Sequence, residues 1–420
     1  MSVSGARPSP PQAGAVKTVP VGLLGYGTVG SAFARLLEER AGEIERQTGL
    51  RPVISGVLTR SRGDFEQILE RSEVVVELIG GLEPARRYAL QTLCRGKALI
   101  TANKQLLCAH GEELYEAARR SGAQIRFEAA VAGVIPVIRV IREALACAAL
   151  ERVHGIVNGT TNYILTEMAA GSSYAQALAR AQAAGYAEAD PSDDVSGRDA
   201  AAKMAILARL AFGVPVTLEQ VRYEGIDHLA PDDLLYAKEL DLSLKLVGTA
   251  ERLGEGISVR VHPAFLYPSH PLASVSGPYN AVTLESEAIT EITMSGPGAG
   301  GSQTASAVLG DLISALRSPL PPPPPPEQLP ILEDVESAYY LHVEVADRPG
   351  VLAEVAGVLG AHGISIKSVV QRGLGENARL VMVTHRTLAS RLGRASAALE
   401  GLASVRSKPR AIAVIEEEFV

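Results

Sequence analysis

The densest chemistry in the chain lies between residues 185 and 210, GYAEADPSDDVSGRDAAAKMAILARL. Glu188, Asp190, Asp193 and Asp194 crowd its first half, and Asp199 and Lys203 follow four positions apart. On a helix that spacing puts both charges on one face. One reading is structural. Ser196 and Asp199 fit the S-x-x-[DE] form of a capping box, and Asp199–Lys203 is then a surface ion pair. The other is chemical. Lys203 is flanked by Ala200, Ala202, Met204, Leu207 and Leu210. A lysine desolvated on such a face loses proton affinity and becomes a proton carrier. Glu188, Asp193 and Asp194 could then hold an ammonium group on a substrate.

A proton carrier needs a partner for the electrons. GYGTVG, residues 25–30, has the form GxGxxG, after a continuous apolar run (19–24) and before apolar residues at helical spacing (Phe33, Leu36, Leu37). That context suits a dinucleotide. Gly25 permits the tight turn, Gly27 lets the backbone approach a pyrophosphate, and Gly30 allows helix against strand. Thr28 and Val29 complete the loop, whose helix N–H groups face the anion. After the second apolar run (53–58) no acid is present to grip a ribose 2′-OH; Thr59, Arg60, Ser61 and Arg62 stand there instead. Arg60 or Arg62 could pair with a 2′-phosphate, which favours NADP and leaves NAD open. Bound dinucleotide and a proton carrier together describe hydride transfer at a carbonyl.

These groups need elements to position them. Short apolar runs at 19–24, 53–58, 74–79, 98–101 and 125–128 alternate with helical stretches. The fold class is α/β, a doubly wound Rossmann-type parallel sheet over 19–150. From 151 to 297 helices (174–184, 199–212) mix with strand-like runs (152–158, 258–263, 281–285), an α+β domain. GPGAGG at 296–301 opens a helix over 302–316, so 298–318 is read as returning to the nucleotide domain. SPLPPPPPPEQLP follows, with six consecutive prolines at 321–326. It predicts a stiff polyproline II spacer of ~3.1 Å per residue and a domain boundary over 319–337. Beyond it, strand (339–345), helix (351–362), a hairpin (364–371 and 378–384, turning over 373–377), helix (388–402) and strand (411–416) give a βαββαβ, ferredoxin-like unit over 338–420.

The bulk numbers exclude several classes. Lys+Arg is 40 and Asp+Glu 47, a net charge of −7. That gives no electrostatic case for nucleic acid or an anionic membrane. No apolar run nears the ~18 residues that span a bilayer. Residues 1–18, rich in Ser, Pro and Ala, lack the apolar stretch of a signal peptide and read as a disordered tail. Cys94, Cys108 and Cys147 fit neither a CxxC pair nor a zinc site. Reduced, mostly buried thiols and a cytoplasmic location are expected.

Several motifs together resemble the homoserine dehydrogenases of the bacterial type with a C-terminal ACT domain. They are DPSDDVSGRDAAAK at 190–203, VVVELIGG at 74–81, TANKQLL at 101–107, FEAAVAGVIPVI at 127–138, NGTTNYI at 158–164 and GPGAGG at 296–301. The resemblance runs over roughly residues 19–318. It implies reversible NAD(P)H-dependent reduction of L-aspartate 4-semialdehyde to L-homoserine, on the path to threonine and methionine. It implies Lys203 as the acid/base lysine, with Asp199 orienting and Lys104 between cofactor and substrate. Glu188 and Asp194 would bind the amino acid, with Thr160 and Tyr186 nearby. Ile79, Ala102, Gly185 and Gly300 would join the cofactor site. The middle domain would also serve dimerisation, giving a homodimer or higher oligomer. A monovalent cation (Na+ or K+) would be held by backbone carbonyls of Glu128, Val131, Gly133 and Ile135. Here AGVIP replaces the usual AGGIP, so Val134 stands where glycine's backbone freedom is usual. The segment between the second strand and VVVELIGG is also shorter than in the family, which trims the region around Arg60.

Residues 347–371, DRPGVLAEVAGVLGAHGISIKSVVQ, resemble an ACT domain. Its helix start after Gly350 suits a ligand carboxylate. In this family the module implies threonine feedback inhibition. Two other readings stay open. A hydroxyacid dehydrogenase would want a His/acid pair and a carboxylate-binding arginine that the sequence does not place. A non-catalytic dinucleotide- and amino-acid-binding sensor needs only the two binding folds.

Overall fold

The computed structural model describes residues 16–373 and 378–415. Most of the expected N-terminal tail, most of the hairpin turn at 373–377 and the end of the last strand lie outside them; the first strand already begins at Lys17.

Strands β1 (Lys17–Leu24), β2 (Leu50–Leu58), β3 (Val74–Glu77), β4 (Ala98–Thr101) and β5 (Ile125–Arg126) form one sheet in the order β2-β1-β3-β4-β5. All neighbours pair in parallel. Helices α1 (Thr28–Thr48), α2 (Phe65–Arg71), α3 (Ala85–Cys94) and α4 (Lys104–Ser121) are the crossovers. Val21, Leu23 and Leu24 are fully buried because helices cover both faces. The strand order reverses between β1 and β3, where open α/β sheets bind ligands; the glycine loop emerges there. A short α5 (Val137–Arg139) leads out of this sheet.

The middle of the chain supplies β6 (Arg152–Ile156), α6 (Gly159–Ala169), α7 (Tyr174–Ala183), α8 (Ser192–Val195), α9 (Arg198–Phe212), β7 (Arg222–Tyr223) and α10 (Pro231–Glu239). Strands β8 (Ser243–Leu253), β9 (Gly256–Leu266), β10 (Tyr279–Ser286) and β11 (Thr290–Pro297) complete it. Helix α11 (Gly301–Arg317) packs Ala305, Val308 and Leu312 into the cluster of Val21, Leu23, Phe33 and Leu37, against α1. Its Gly301 lies so close to α1 that a Cβ would meet the Thr28 side chain at 2.8 Å.

The C-terminal unit runs β12 (Glu336–Glu344), α12 (Val351–Ala361), β13 (Ile366–Arg372), β14 (Arg379–Thr384), β15 (Thr387–Leu388), α13 (Ala389–Glu400) and β16 (Arg410–Ile415). Its apolar centre includes Leu341, Val343, Val355, Leu380, Met382 and Leu399. β16 pairs in parallel with β9, Ala413 with Ala264 and Ile415 with Leu266. The order β11-β10-β6-β8-β9-β16-β12-β14-β13 is therefore one continuous sheet. The proline segment separates the two units in sequence but not in space. Among the described residues no helix is long and apolar enough to cross a membrane. The cysteines are unpaired, but they are not mostly buried: Cys94 and Cys147 are exposed and Cys108 is half-buried.

Candidate functional site

At the head of α1 each glycine has a separate reason. Gly25 has φ +100°, and a Cβ there would lie 2.4 Å from the Leu78 carbonyl. A Cβ on Gly30 would lie 2.2 Å from the Gly25 carbonyl. Gly27, the N-cap, has open space beside it and no side-chain cap. The N–H groups of Thr28, Val29 and Gly30 begin the helix and have no partner within it. An open cradle over unpaired N–H groups fits a dinucleotide diphosphate. Gly300, with φ +136°, caps α11 beside this loop.

Glu77, fully buried at the end of β3, organises the next turn. It accepts from the Ile79 N–H at 2.7 Å and from the Thr101 hydroxyl at 2.6 Å. Ile79 is half-exposed there, and the Ala102 N–H reaches the Glu77 carbonyl at 3.5 Å. Asn103 caps α4 and donates to the Gly81 carbonyl at 2.7 Å. This sets Lys104 at the head of α4, at the sheet's C-terminal edge. Arg60 is exposed on the turn after β2, whereas Arg62 lines a cleft of about 630 Å³ with Tyr26, Val57 and Thr59.

Helix α9 does not use the Ser196–Asp199 capping box. Its N-cap is Gly197 at φ +85°, with no side-chain cap. Asp199 is freed by that and points into the site, where it is buried. Lys203 donates to its Oδ2 at 2.6 Å, Asn158 to the same oxygen at 2.8 Å, and Lys104 lies 3.0 Å from Oδ1. Burial opposes the charge on Asp199, but the two lysines and their hydrogen bonds hold its carboxyl well below the usual range. Burial likewise opposes the charge on Lys104, and Asp199 outweighs it, so that pKa is raised. Lys203 is not stranded on an apolar face, as the helix pattern suggests. It also donates to the Val157 carbonyl at 2.8 Å, so its ammonium is a paired one.

Asn158 joins the acids. Its Nδ2 donates to Asp194 at 2.7 Å as well as to Asp199, while its Oδ1 accepts from the Thr161 N–H and caps α6. Burial, with Asp199 beside it, raises the pKa of Asp194. Thr160 donates to the Tyr186 carbonyl at 2.6 Å, tying the start of α6 to the turn at Gly185, φ +76°. The Tyr186 ring is exposed and packs on Tyr163. Glu188 is exposed on the same turn, its carbonyl accepting from Gln182. The other two acids have local partners. Asp190 accepts from the Ser192 N–H, and Asp193 lies 3.5 Å from Arg198. Sequence reasoning missed Asn158 and Glu77, though both lie in motifs it singled out. An Asn immediately before the helical run GTTNYI is a capping signal that could have marked the first.

The Glu128 carboxylate caps α5, accepting from the Ile138 and Arg139 N–H groups at 2.8 and 2.9 Å. Burial and the Asp311 carboxylate push it up to about 7. Its carbonyl accepts from Val131, and that of Ile135 from Val137. Gly133, at φ +66°, lies against the Pro297 and Gly298 carbonyls. The left-handed positions here are Ala132 and Gly133, not Val134, so valine at 134 carries no backbone strain.

The geometry can be set beside known proteins. Residues 25–128 match the profile "Homoserine dehydrogenase, NAD binding domain", 136–313 match "Homoserine dehydrogenase", and 339–404 match "ACT domain". The chain is 43% identical over 419 residues to the homoserine dehydrogenase of Mycobacterium tuberculosis, spanning 92% of this chain and 95% of that one. It is 42% identical over 412 residues to that of Corynebacterium glutamicum, spanning 91% and 93%. The chain belongs to the homoserine dehydrogenase family. The crystal structure of a family member from Thiobacillus denitrificans superposes with a TM-score of 0.90 at 38% identity, covering 95% of this chain and 99% of that one. A hyperthermophilic archaeal family member in complex with NADPH superposes at 0.63 with 26% identity, covering 72% and 99%. The chain is thus an oxidoreductase of this family with an NAD(P)-binding Rossmann domain, a mixed-sheet domain and a C-terminal ACT domain.

Proposed function

We propose that the chain interconverts L-aspartate 4-semialdehyde and L-homoserine with NADP(H), and that Lys203 moves the proton at the reacting oxygen. One observation carries this: Asp199 holds Lys203 and Lys104 on its two oxygens at the mouth of the dinucleotide fold. A bound nicotinamide would supply or accept the hydride. Lys203 would donate to the aldehyde oxygen as negative charge develops there, and Asp199 would keep that ammonium aimed. Lys104, charged beside Asp199, would stabilise the same oxygen. Asp194, fixed by Asn158, and Glu188 would take the substrate ammonium, with Thr160 and Tyr186 shaping that side. The loop of Gly25, Gly27 and Gly30, with Gly300 alongside, would bind the diphosphate. Ile79 and Ala102 would flank the nicotinamide, and Gly185 would face the cofactor. The absence of an acid after β2, with Arg62 in the cleft, favours the 2′-phosphate.

The wider reading places the reaction in threonine and methionine biosynthesis in the cytoplasm, in a homodimer or higher oligomer, with threonine acting through the ACT domain. The carbonyls of Glu128, Val131, Gly133 and Ile135 are the place to look for a monovalent cation, although two of them already accept N–H bonds. The test follows cofactor absorbance with homoserine and each of NADP and NAD, with and without threonine. Lys203→Ala should keep cofactor affinity and lose about 10²–10⁴ in turnover. Near-parental rates in that variant would sink the role given to Lys203.

A further inference from the structure

The proline run plays no part in the chemistry above. Proline has no N–H and a polyproline segment makes no internal hydrogen bonds, so its carbonyls are open acceptors along a stiff rod. Four arginines use this strap. Arg126 donates to the Ser318 carbonyl at 2.9 Å, and Arg142 donates to that of Pro321. Arg119, in the last turn of α4, donates to the carbonyls of Pro323 and Pro324 at 2.7 and 3.3 Å. Arg209, in the last turn of α9, donates to the same Pro324 carbonyl at 2.6 Å. Just beyond α9, the Gly213 carbonyl accepts from the Glu327 N–H at 2.9 Å.

One carbonyl thus receives an arginine from each of two helices. Those helices belong to different domains, and their opposite ends carry the chemistry. Helix α4 begins at Lys104, and α9 carries Asp199 in its first turn, 3.0 Å away. Arg209 is buried, is held by both oxygens of Glu112 on α4, and lies over the Tyr115 ring at 5.8 Å. Helix α4 bends at His110, between its two ends, and Glu112 just past the bend is bound to Arg209, so holding this part of α4 against α9 limits how far Lys104 can move from Asp199. A misplacement of about 1 Å between catalytic groups costs about 10²-fold in rate.

We propose that the proline strap is an interdomain clamp, in which Pro324, Arg119, Arg209 and Glu112 hold α4 against α9 and so set the separation of Lys104 and Asp199. These are positioning residues, and their effect on turnover rests on the catalytic reading of Lys104 and Asp199. The clamp itself can be read without turnover. Cys108 lies one turn beyond Lys104, half-buried in the cleft that α4 shares with α9 and Leu218. In the full-length chain with Cys94→Ser and Cys147→Ser, the rate of a disulfide thiol reagent therefore reports how tightly α4 is held.

Two variants suffice: Arg119→Gln with Arg209→Gln, and a length-matched replacement of residues 321–326 by GSGSGS. Each should lower kcat about ten- to a hundredfold. Each should also speed the reaction of Cys108 at least about fivefold. Cofactor Kd should not change, and Arg209→Lys, with its donors on a single cationic nitrogen, should recover part of the rate. If Arg209→Gln does not fold, Arg119→Gln alone and the strap replacement carry the test, since neither leaves Glu112 without Arg209. Folded variants with parental kcat and parental Cys108 reactivity overturn the clamp. If Lys104→Ala keeps full turnover while Cys108 still quickens in the strap variant, the catalytic reading fails and the clamp stands.

Discussion

Asn158 is the residue whose loss separates the site from its scaffold most cleanly. Asn158→Ala deletes two donors, at 2.7 Å from Asp194 and 2.8 Å from Asp199, and the acceptor for the Thr161 N–H at 2.9 Å. The helix cap is worth ~1 kcal/mol. Hydrogen bonds to charged groups contribute ~1.5–3 kcal/mol each. Asp199 keeps Lys203 and Lys104, so its loss is small. Asp194 is half-buried and regains some water. The lower end of the range then applies, and the fold should lose roughly 3 kcal/mol. Misaligning Asp194 should cost one such bond in substrate recognition, ~2 kcal/mol, or about 30-fold in kcat/KM for homoserine. Asn158→Asp sharpens the test. It keeps the cap acceptor but sets a third carboxylate against Asp194 and Asp199. Asp199 is held ionised by two lysines, so Asp194 takes up the proton, and its pKa, already raised, rises further. A protonated Asp194 cannot pair with an ammonium. The acid limb of the kcat/KM profile should therefore move to higher pH in both variants, since both lose the Asn158 hydrogen bond that lowers Asp194, and further in Asn158→Asp, where a like charge is added. Initial rates across a pH series, with thermal unfolding and cofactor affinity as controls, decide it. A folded Asn158→Ala variant with kcat/KM within about threefold of the parent would refute the reasoning.

The two glycines of the nucleotide loop should part company. A Cβ at Gly27 meets nothing in the protein, so Gly27→Ala should keep the unfolding temperature and weaken cofactor binding about tenfold or more, measured by cofactor fluorescence. Gly30→Ala drives a Cβ to 2.2 Å from the Gly25 carbonyl and should lower both. His154 on β6 is buried, with Nδ1 3.0 Å from the Thr249 hydroxyl; burial first, then neighbouring cationic groups, hold its pKa well below the usual histidine value. The unfolded chain then binds this proton first, so stability should fall as pH drops below ~6.5, by up to ~1.4 kcal/mol per pH unit, until the folded-state value is reached. His154→Gln should flatten that slope in urea titrations between neutral and mildly acid pH; an unchanged slope would assign it to other groups.

Much of the architecture was legible because its signals are local. A buried strand, a glycine turn and a helix start follow one another within residues 19–40, and periodicity switches where the backbone does. The same holds for the βαββαβ order of the C-terminal unit. What local pattern could not supply was pairing between distant segments. Nothing in residues 256–266 or 410–415 announces that β9 and β16 lie side by side, and the prolines between them argue for separation. Composition predicts a stiff strap standing apart, but four arginines, each from a different element, draw it onto the body.

The acidic stretch shows the same limit at the scale of one side chain. Ser196 and Asp199 match a capping box in type and spacing, and the pattern cannot tell whether Asp199 turns back to its own helix. Gly197 decides it. A Cβ there would lie 3.0 Å from the Glu224 carbonyl and would sit at φ +85°, so a tertiary contact makes glycine the cap and leaves Asp199 free. Its partners then come from Asn158, 41 residues upstream, and from Lys104 in the other domain. The helical face around Lys203 correctly marked it as unlike a surface lysine, but assigned the wrong cause. Its setting is a paired ammonium between Asp199 and the Val157 carbonyl, not a bare charge among methyl groups. Types and spacing therefore named the groups able to do chemistry. Which of them face one another is set by contacts that no stretch of the chain contains by itself.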